Sequence, residues 1–375
     1  MSASSAELDA AQPVTRAPGG KLDTIQALRA LAAIMVTVAH AVEEAKYFFD
    51  FQPWFETSPF GKGVDLFFVI SGFIIYYASR KLFAASGGIQ QFAYNRISRV
   101  VPLYFLFTTL MVLVVVFLPG GVKEARFDIE QIWTSYAFIP YERYDGRIAP
   151  ILSLGWTLNY EMFFYALFAL VMWLPARKAA AAAIVLLTVL ATIGAFLPPE
   201  APAPLRAWTN NIILEFAFGV MIAVAYDAWG KRFARHTWLA VGLMVIGFFG
   251  IYFLSHPQAP INLPRFLAAG VPAALMMVAA TLLLPASAEL RLPRFMVALG
   301  DSSYSLYLSH RFVQRPIQII VTRLDLGNSM AGVLYVWFAV ILAVVAGHVV
   351  YLILERPLLR RLKRHRAERS QTAVG

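Results

Sequence analysis

The sequence predicts an all-α, polytopic membrane protein, a bundle of about ten transmembrane helices with both termini in the cytoplasm. Only 14% of its 375 residues are charged, against 59% that are hydrophobic, whereas soluble proteins carry about 25% charged residues. The apolar residues form runs of about 20, the length that a helix needs to cross a bilayer. Because backbone groups in lipid must be hydrogen-bonded within the protein, these runs are predicted to be helices.

The apolar runs give the predicted order of the elements along the chain. Residues 1–20 are polar and are expected to form a disordered cytoplasmic tail, residues 21–358 to form one transmembrane domain, and residues 359–375 to form a basic cytoplasmic tail. Pro272 interrupts one run and predicts a kink there. The spans are expected near residues 24–42, 64–79, 98–118, 152–174, 179–197, 209–226, 238–254, 266–285, 296–320 and 329–354.

The distribution of charge predicts the orientation. The tails and the connections on their side hold 20 Lys and Arg, whereas the other connections hold 9. Cytoplasmic loops carry the excess of Lys and Arg, so both termini are expected in the cytoplasm. The net charge of +10 is explained by this topology and by the anionic cytoplasmic leaflet, so no nucleic-acid partner is expected.

Ionisable residues inside the predicted spans are the first candidates for function, because burying them in lipid is costly. Arg29 and His40 share the first span and are 11 residues apart, which places them on one helical face and roughly 16 Å apart along the axis. One groove could therefore hold an anion at one end and a base at the other. The structural alternative is a snorkelling Arg and a His satisfied by a neighbouring helix. The full set is Arg29, His40, Asp65, Glu161, Glu215, Asp301, His310, Arg311, Arg315 and His348.

Two carboxylates are candidates to act with His40. Asp65 opens the second span at a depth similar to that of His40, where it could orient the imidazole or simply cap the helix. Glu161 lies about two turns into the fourth span with no neighbouring Lys or Arg in the sequence, so tertiary contacts must satisfy it. Trp156 is expected at the membrane interface, and the Ser71-Gly72 pair is expected to let two helices approach closely.

Two arginines at the start of the third span extend the predicted anion site. Arg96 and Arg99 are three residues apart and so share one helical face at the cytoplasmic end. Either arginine alone would be explained as one of the basic residues that commonly flank the cytoplasmic end of a membrane span. Together with Arg29 they predict a site for a phosphorylated, anionic ligand.

These motifs, taken in order, resemble the acyltransferase-3 family of bacterial integral membrane O-acyltransferases, and among them the exopolysaccharide-production branch. One family motif is a basic residue, then ten other residues, then a histidine, and Arg29 through His40 fit it. The remaining motifs are Gly63–Phe73, Arg96-Ile97-Ser98-Arg99, Glu215–Gly219, Gly300–His310 and Glu355-Arg356-Pro357. The resemblance covers residues 20–362 and identifies residues 21–358 as an acyltransferase domain.

The resemblance implies transfer of an acyl group, usually acetyl, from cytoplasmic acyl-CoA to a sugar hydroxyl. Acyl-CoA is then a co-substrate, with no permanently bound cofactor and no metal. Arg29, Arg96 and Arg99 would bind its phosphates, while His40 would be the general base, oriented by Asp65 or Glu161. His310 or Tyr304 would polarise the thioester carbonyl. The expected partners are carbohydrate or lipid-linked carbohydrate, the bilayer and the polysaccharide-synthesis machinery.

Three alternatives stay open at this point. The acyl group could pass through a covalent intermediate on His40 or Ser71, although the sequence has no cysteine to serve as the nucleophile. The same chemistry could act on lipopolysaccharide, peptidoglycan or another lipid-linked acceptor. A protein of another class, a transporter of glycolipid or small solute, would also suit a bundle with buried charges, but the ordered motifs and the cytoplasmic arginine pair argue against it.

Overall fold

The computed structural model describes residues 20–118, 126–230, 232–233, 236–284, 292–324 and 328–372. These residues are helical throughout, apart from connections and one isolated β-bridge between Glu142 and Ile148. Residues 1–19 of the predicted N-terminal tail lie outside the described residues. The predicted all-α fold class is confirmed.

The α-helices of the described residues follow one another along the chain as the apolar runs predict. Short π-helical segments, Phe266–Gly270, Ala279–Leu283 and Tyr351–Glu355, adjoin three of them. The α-helices are α1 (Gly20–Phe49), α2 (Gly63–Ser79), α3 (Gly88–Phe117), α4 (Ile129–Tyr136), α5 (Trp156–Val171), α6 (Ala176–Gly194), α7 (Ala203–Trp208), α8 (Leu214–Trp229), α9 (Thr237–Leu254), α10 (Val271–Val278), α11 (Arg294–Asp301), α12 (Ser303–Arg323), α13 (Asn328–Val350) and α14 (Arg356–Thr372).

Nine helical segments within the described ranges are long and apolar enough to cross a membrane, so the protein is a multi-pass membrane protein. They coincide with nine of the ten predicted spans. The exception is the predicted span 296–320, which the structure divides at Ser302 into α11 and α12. Helix α12 has the length of a span, 21 residues, but not the composition, because it carries Ser, His, Arg and Gln side chains that pack inside the bundle.

Two helices extend well beyond their predicted spans. Helix α1 continues to Phe49, and α3 begins at Gly88, ten residues before its predicted start. Arg96 and Arg99 therefore lie two to three turns inside α3 rather than at its entrance. Around Pro272 the helix continues, with π-helical turns on both sides of α10 instead of a break. Such turns relieve the missing backbone hydrogen bond at a proline.

Helices α2 and α8 pack closely against each other in the core, and glycine makes this contact possible. A Cβ added to Gly72 would lie 2.1 Å from the carbonyl oxygen of Phe216, and one added to Gly219 would lie 2.1 Å from that of Val69. Both neighbours are helix backbone, which cannot rotate away. Gly72 thus has the packing role predicted from the sequence, and the contact holds α2 in place beside the site described below.

We expect Gly72→Ala to destabilise the protein by at least the 1–3 kcal/mol typical of overpacking, because the methyl group would force the two helices apart. Thermal unfolding in detergent measures the effect. Gly242→Ala is the matched control, since a Cβ there meets no atom within 4 Å and alanine is the better helix former. An unchanged unfolding temperature for Gly72→Ala would contradict the described packing.

Candidate active site

A cavity of about 350 Å³ lies among α1, α2, α3, α5 and α12. We call it the Arg29 cavity. The three arginines predicted to form an anion site all line it, together with one carboxylate. Its polar lining includes Arg29, Arg96, Arg99, Glu161, Ser71 and Tyr304. Three guanidinium groups against one carboxylate give this cavity the charge that attracts a phosphorylated ligand.

The arginines of this cavity are held by weak, adaptable contacts. Arg29 donates to the Oε1 of Gln26 at 3.3 Å. The Arg96 guanidinium lies over the rings of Phe92 and Tyr165, 5.6 and 5.9 Å from their centroids. Carboxylates contribute as well, since Glu355, Asp301 and Glu161 attract Arg29 electrostatically and Glu161 attracts Arg96.

Glu161 and its neighbours belong to the Arg29 cavity. The Glu161 carboxylate accepts hydrogen bonds from the Tyr165 hydroxyl and, at 3.4 Å, from the Ser71 hydroxyl. The Tyr304 hydroxyl donates to the carbonyl oxygen of Val100 at 2.7 Å, which ties α12 to α3. Glu161 is therefore satisfied by tertiary contacts, as its position in the sequence requires, but its partners are a tyrosine and a serine rather than His40.

The two intramembrane histidines predicted to act separately are hydrogen-bonded to each other. The Nδ1 of His40 lies 2.9 Å from the Nε2 of His310, and the two rings are nearly parallel, with an interplanar angle of 8°. His310 is fully buried, whereas His40 is half-buried. The prediction that Asp65 or Glu161 orients His40 is thus wrong in this structure, because both carboxylates are bound elsewhere.

The backbone determines which nitrogen of each histidine carries the proton. The Nδ1 of His310 lies 3.1 Å from the carbonyl oxygen of Leu306, which can only accept, so this nitrogen is the donor. In a neutral His310 the Nε2 then accepts, and the proton between the rings belongs to the Nδ1 of His40. The lone pair of His40 consequently lies on Nε2, the nitrogen that faces away from His310.

Asp65 forms a buried ion pair instead of contacting His40. Both of its carboxylate oxygens accept from Arg265, at 2.7 and 2.8 Å, and its side chain is fully buried. The guanidinium also lies 5.3 Å from the centroid of the Trp156 ring. A buried carboxylate is tolerable only with such a partner, since desolvating a charge is costly. The alternative role as a helix cap is also not observed, since α2 begins at Gly63, two residues before Asp65, and has no side-chain hydrogen bond at its cap.

A second cavity, of about 670 Å³, lies near the opposite end of α1. We call it the Glu44 cavity. Charged side chains line one part of it, and Glu44 accepts from the Tyr335 hydroxyl and lies 3.6 Å from Arg311. Apolar side chains of α3 and α12 line the rest. The charged residues are Glu43, Glu44, Arg147, Arg311 and Arg315, and the apolar helix residues are Met111, Val114, Leu118, Phe312, Pro316, Ile319 and Ile320.

The histidine pair lies between the two cavities. On α1, Arg29 lines the first cavity and Glu43 and Glu44 line the second, with His40 between them in the sequence. On α12 the same order holds for Tyr307, His310 and Arg311. Tyr307 also bridges the two regions, since its hydroxyl donates at 3.0 Å to the carbonyl oxygen of Leu154, which lines the Glu44 cavity. The pair thus separates the two cavities along α1 and α12, and neither histidine lines either of them.

Within the described ranges, no group of three or more His, Cys, Asp and Glu residues is arranged to hold a metal ion. The acid–base groups near the cavities are histidine, glutamate and tyrosine. They suit proton transfer at a hydroxyl group.

Sequence reasoning missed the partners of the predicted residues. Arg265 was assigned to a connection, yet it binds Asp65 across 200 positions. The contact between His40 and His310 spans 270 positions. The predicted depths gave no signal for the second contact, because His310 lies in the middle of the predicted span 296–320, whereas His40 lies two residues before the end of the span 24–42.

Comparisons with known proteins agree with this architecture. The acyltransferase-3 family model, described as an acyltransferase domain, matches residues 22–351. The exopolysaccharide production protein ExoZ of Rhizobium meliloti is 32% identical over 310 residues, which cover 80% of this chain and 89% of that protein. No solved structure matches the chain. The chain belongs to the acyltransferase-3 family and is a membrane-embedded acyltransferase.

Proposed function

We propose that this acyltransferase moves an acyl group, in the first instance acetyl, from acyl-CoA to a hydroxyl of an exopolysaccharide or of its lipid-linked precursor. The observation that carries the proposal is the position of the His40–His310 pair between a cavity rich in arginine and a second, larger cavity. Donor and acceptor can then reach one base from two sides.

The Arg29 cavity suits the donor. The phosphates of CoA carry several negative charges, and Arg29, Arg96 and Arg99 supply three cations on neighbouring helices. The narrow pantetheine arm would extend along α1 toward His40, which lies roughly 16 Å from Arg29 along the helix. If the predicted topology holds, this cavity faces the cytoplasm of the bacterium, where acyl-CoA is made, and the protein resides in the inner membrane.

The reaction requires one proton transfer and one acyl transfer. The Nε2 of His40 removes the proton of the acceptor hydroxyl while its oxygen attacks the thioester carbonyl carbon. A carbon–oxygen bond forms, the carbon–sulfur bond breaks, and the CoA thiolate leaves. The thiolate then takes the proton from His40, so the products are the ester and free CoA. His310 holds the tautomer of His40 that leaves Nε2 unprotonated at the start.

Two arguments support a carbohydrate acceptor: the similarity to ExoZ and the polar lining of the Glu44 cavity. The related ExoZ protein is named for exopolysaccharide production, and the Glu44 cavity offers both hydrogen-bond donors and acceptors, as sugar hydroxyls require. Lipopolysaccharide, peptidoglycan or another lipid-linked acceptor would undergo the same chemistry. Enzymes of polysaccharide synthesis are proposed as functional neighbours, because they would supply the acceptor.

The reaction is tested with purified protein in nanodiscs, acetyl-CoA labelled in the acetyl group, and isolated bacterial polysaccharide or its lipid-linked fraction. We expect label in an ester on the carbohydrate and an equal amount of free CoA. Stable label on the protein in the absence of acceptor would instead indicate a covalent intermediate on a residue such as Ser71 or His40. Intact acetyl-CoA and unlabelled carbohydrate, with every acceptor tried, would contradict the proposal.

Removing one arginine of the Arg29 cavity should weaken donor binding. We expect Arg99→Ala to raise the KM for acetyl-CoA about 10-fold or more, because a hydrogen bond between charged groups contributes about 1.5–3 kcal/mol, with little change in the KM for the acceptor. Arg80→Ala is the matched control, since Arg80 pairs with Asp227 outside the cavity. Equal effects of Arg99→Ala and Arg80→Ala on the KM for acetyl-CoA would contradict the assignment of the donor site.

A further inference from the structure

We propose that helix α14 attracts the phosphorylated end of acyl-CoA from solution and directs it toward the Arg29 cavity. The inference rests on the proposed function, since it takes acyl-CoA as the donor. The residues that carry it lie outside that cavity, at the end of the bundle that the charge distribution places in the cytoplasm.

The first three turns of α14 carry charge of one sign. Residues 356–366 contain six Lys and Arg and no Asp or Glu. Four of these cations are exposed, and among the described side chains none of the four pairs with a carboxylate. They are Arg360, Arg361, Lys363 and Arg364. Like charges held this close repel one another and destabilise the folded protein, so a bound anion would stabilise the cluster.

Helix α14 lies beside the first turns of α3. The Tyr94 hydroxyl donates to the carbonyl oxygen of Leu362 at 2.7 Å. The Arg366 guanidinium lies 4.6 Å from the centroid of the Tyr94 ring and donates to the Oε1 of Gln91. These contacts hold the cationic segment against α3 at the level of Tyr94.

This position is close to the proposed donor site. Arg96 and Arg99 line the Arg29 cavity, and they follow Tyr94 on α3 at roughly 3 and 8 Å along the helix axis. Neither distance exceeds the Debye length, which is about 8 Å at physiological ionic strength. The positive potentials of α14 and of the cavity arginines therefore overlap, and an anion attracted by α14 arrives beside the donor site.

Lipid headgroups are the alternative anion for a basic helix next to a membrane. A helix that binds headgroups lies in the plane of the interface, whereas α14 runs along the beginning of α3, one of the membrane-spanning helices. The helical run from Asn328 to Thr372 is also unbroken and is roughly 65 Å long, whereas a bilayer with its headgroups takes up about 40–45 Å. Helix α14 thus extends into water, where a soluble anion reaches it.

The charge of acyl-CoA matches this surface. Its adenosine end carries a phosphate monoester and a pyrophosphate, whereas its pantetheine arm is uncharged. Attraction by a surface of opposite charge raises association rates by about 10–10³-fold. Because only the adenosine end is attracted, α14 also favours the orientation in which the arm points into the bundle.

Removing cations from α14 should slow the association of CoA. Full-length protein in phosphatidylcholine nanodiscs is immobilised, and the rates for CoA are measured by surface plasmon resonance. At about 10 mM salt, where the Debye length is about 30 Å, Arg360→Gln/Arg361→Gln should lower the association rate about tenfold, the lower end of the range for electrostatic steering. At about 1 M salt, where the Debye length is about 3 Å, the variant and the wild type should associate equally fast. The dissociation rate should not change, because the cavity arginines are intact.

Arg177→Gln/Lys178→Gln is the matched control, since it removes two adjacent, exposed cations at the start of α6, on the same side of the membrane by the predicted topology. Equal association rates of the two double variants, or a slower rate that persists at high salt, would overturn the proposal. A difference between the α14 variant and the wild type that occurs only in nanodiscs containing phosphatidylglycerol would also overturn it, because α14 would then bind lipid. Failure of the wild-type protein to bind CoA would overturn the proposed function together with this inference, so the two failures are distinguishable.

Discussion

Replacing His40 with alanine is expected to lower kcat for acyl transfer by about 10²–10⁴-fold, the usual contribution of a general base. The affinity for acetyl-CoA should stay within a few-fold of the wild-type value, because the arginines that bind CoA lie at the other end of α1. Release of free CoA in the presence of acceptor measures kcat, and equilibrium binding measures affinity. His348→Ala is the control, an intramembrane histidine that contacts Ser302 outside both cavities.

Two substitutions of His310 are expected to have different effects, because His310 accepts the Nδ1 proton of His40. His310→Leu removes the acceptor of the His40 Nδ1 proton, so His40 should lose its fixed tautomer and kcat should fall with little change in either KM. His310→Gln can still accept through its carbonyl oxygen and should recover part of the rate. Nitrogen NMR of the His40 ring distinguishes positioning from a structural role. An unaltered tautomer in His310→Leu would contradict the inferred hydrogen bond.

The second large effect concerns stability. Arg265→Ala should destabilise the protein by about 3–5 kcal/mol, because it leaves the fully buried Asp65 carboxylate without its bidentate partner. The nearby carboxylate of Glu215, which is also fully buried and interacts electrostatically with Arg265, would lose the same cation. Thermal or chemical unfolding in detergent measures the loss.

A double-mutant cycle provides the control for this prediction. Removing both charges in Asp65→Asn together with Arg265→Ala should be less destabilising than the sum of the single substitutions, since no unpaired carboxylate remains at position 65. Additive effects would show that the two side chains do not interact in the folded protein, in contradiction to the described ion pair.

The sequence was sufficient to predict features that depend on one helix at a time. The spacing of Arg29 and His40 predicted a common face on α1, and the spacing of Arg96 and Arg99 predicted a shared face on α3. The second agrees with the Arg29 cavity, which Arg96 and Arg99 both line, whereas His40 lines neither cavity. The apolar runs likewise predicted ten spans, nine of which coincide with long apolar helices of the described residues, because length and hydropathy are local properties.

Contacts between side chains of different helices could not be predicted from these local sequence patterns. The face of a helix on which a residue lies does not determine which neighbouring helix it contacts. Asp65 was therefore assigned to His40 from its depth alone. In the structure it binds Arg265, which is 200 residues away in the sequence. The predicted span 296–320 is confirmed in length by α12 but not in composition. Its polar residues are buried against other helices, where the apolar composition expected of a lipid-facing span is not required.

The most direct test of the proposed arrangement is a cryo-electron microscopy map of the His40→Ala protein with acetyl-CoA, whose acetyl group this variant should retain. Density is expected for the CoA phosphates beside Arg96 and Arg99, and for the thioester at position 40, between the Arg29 cavity and the Glu44 cavity. Density for CoA in the Glu44 cavity, or a thioester far from position 40, would contradict it.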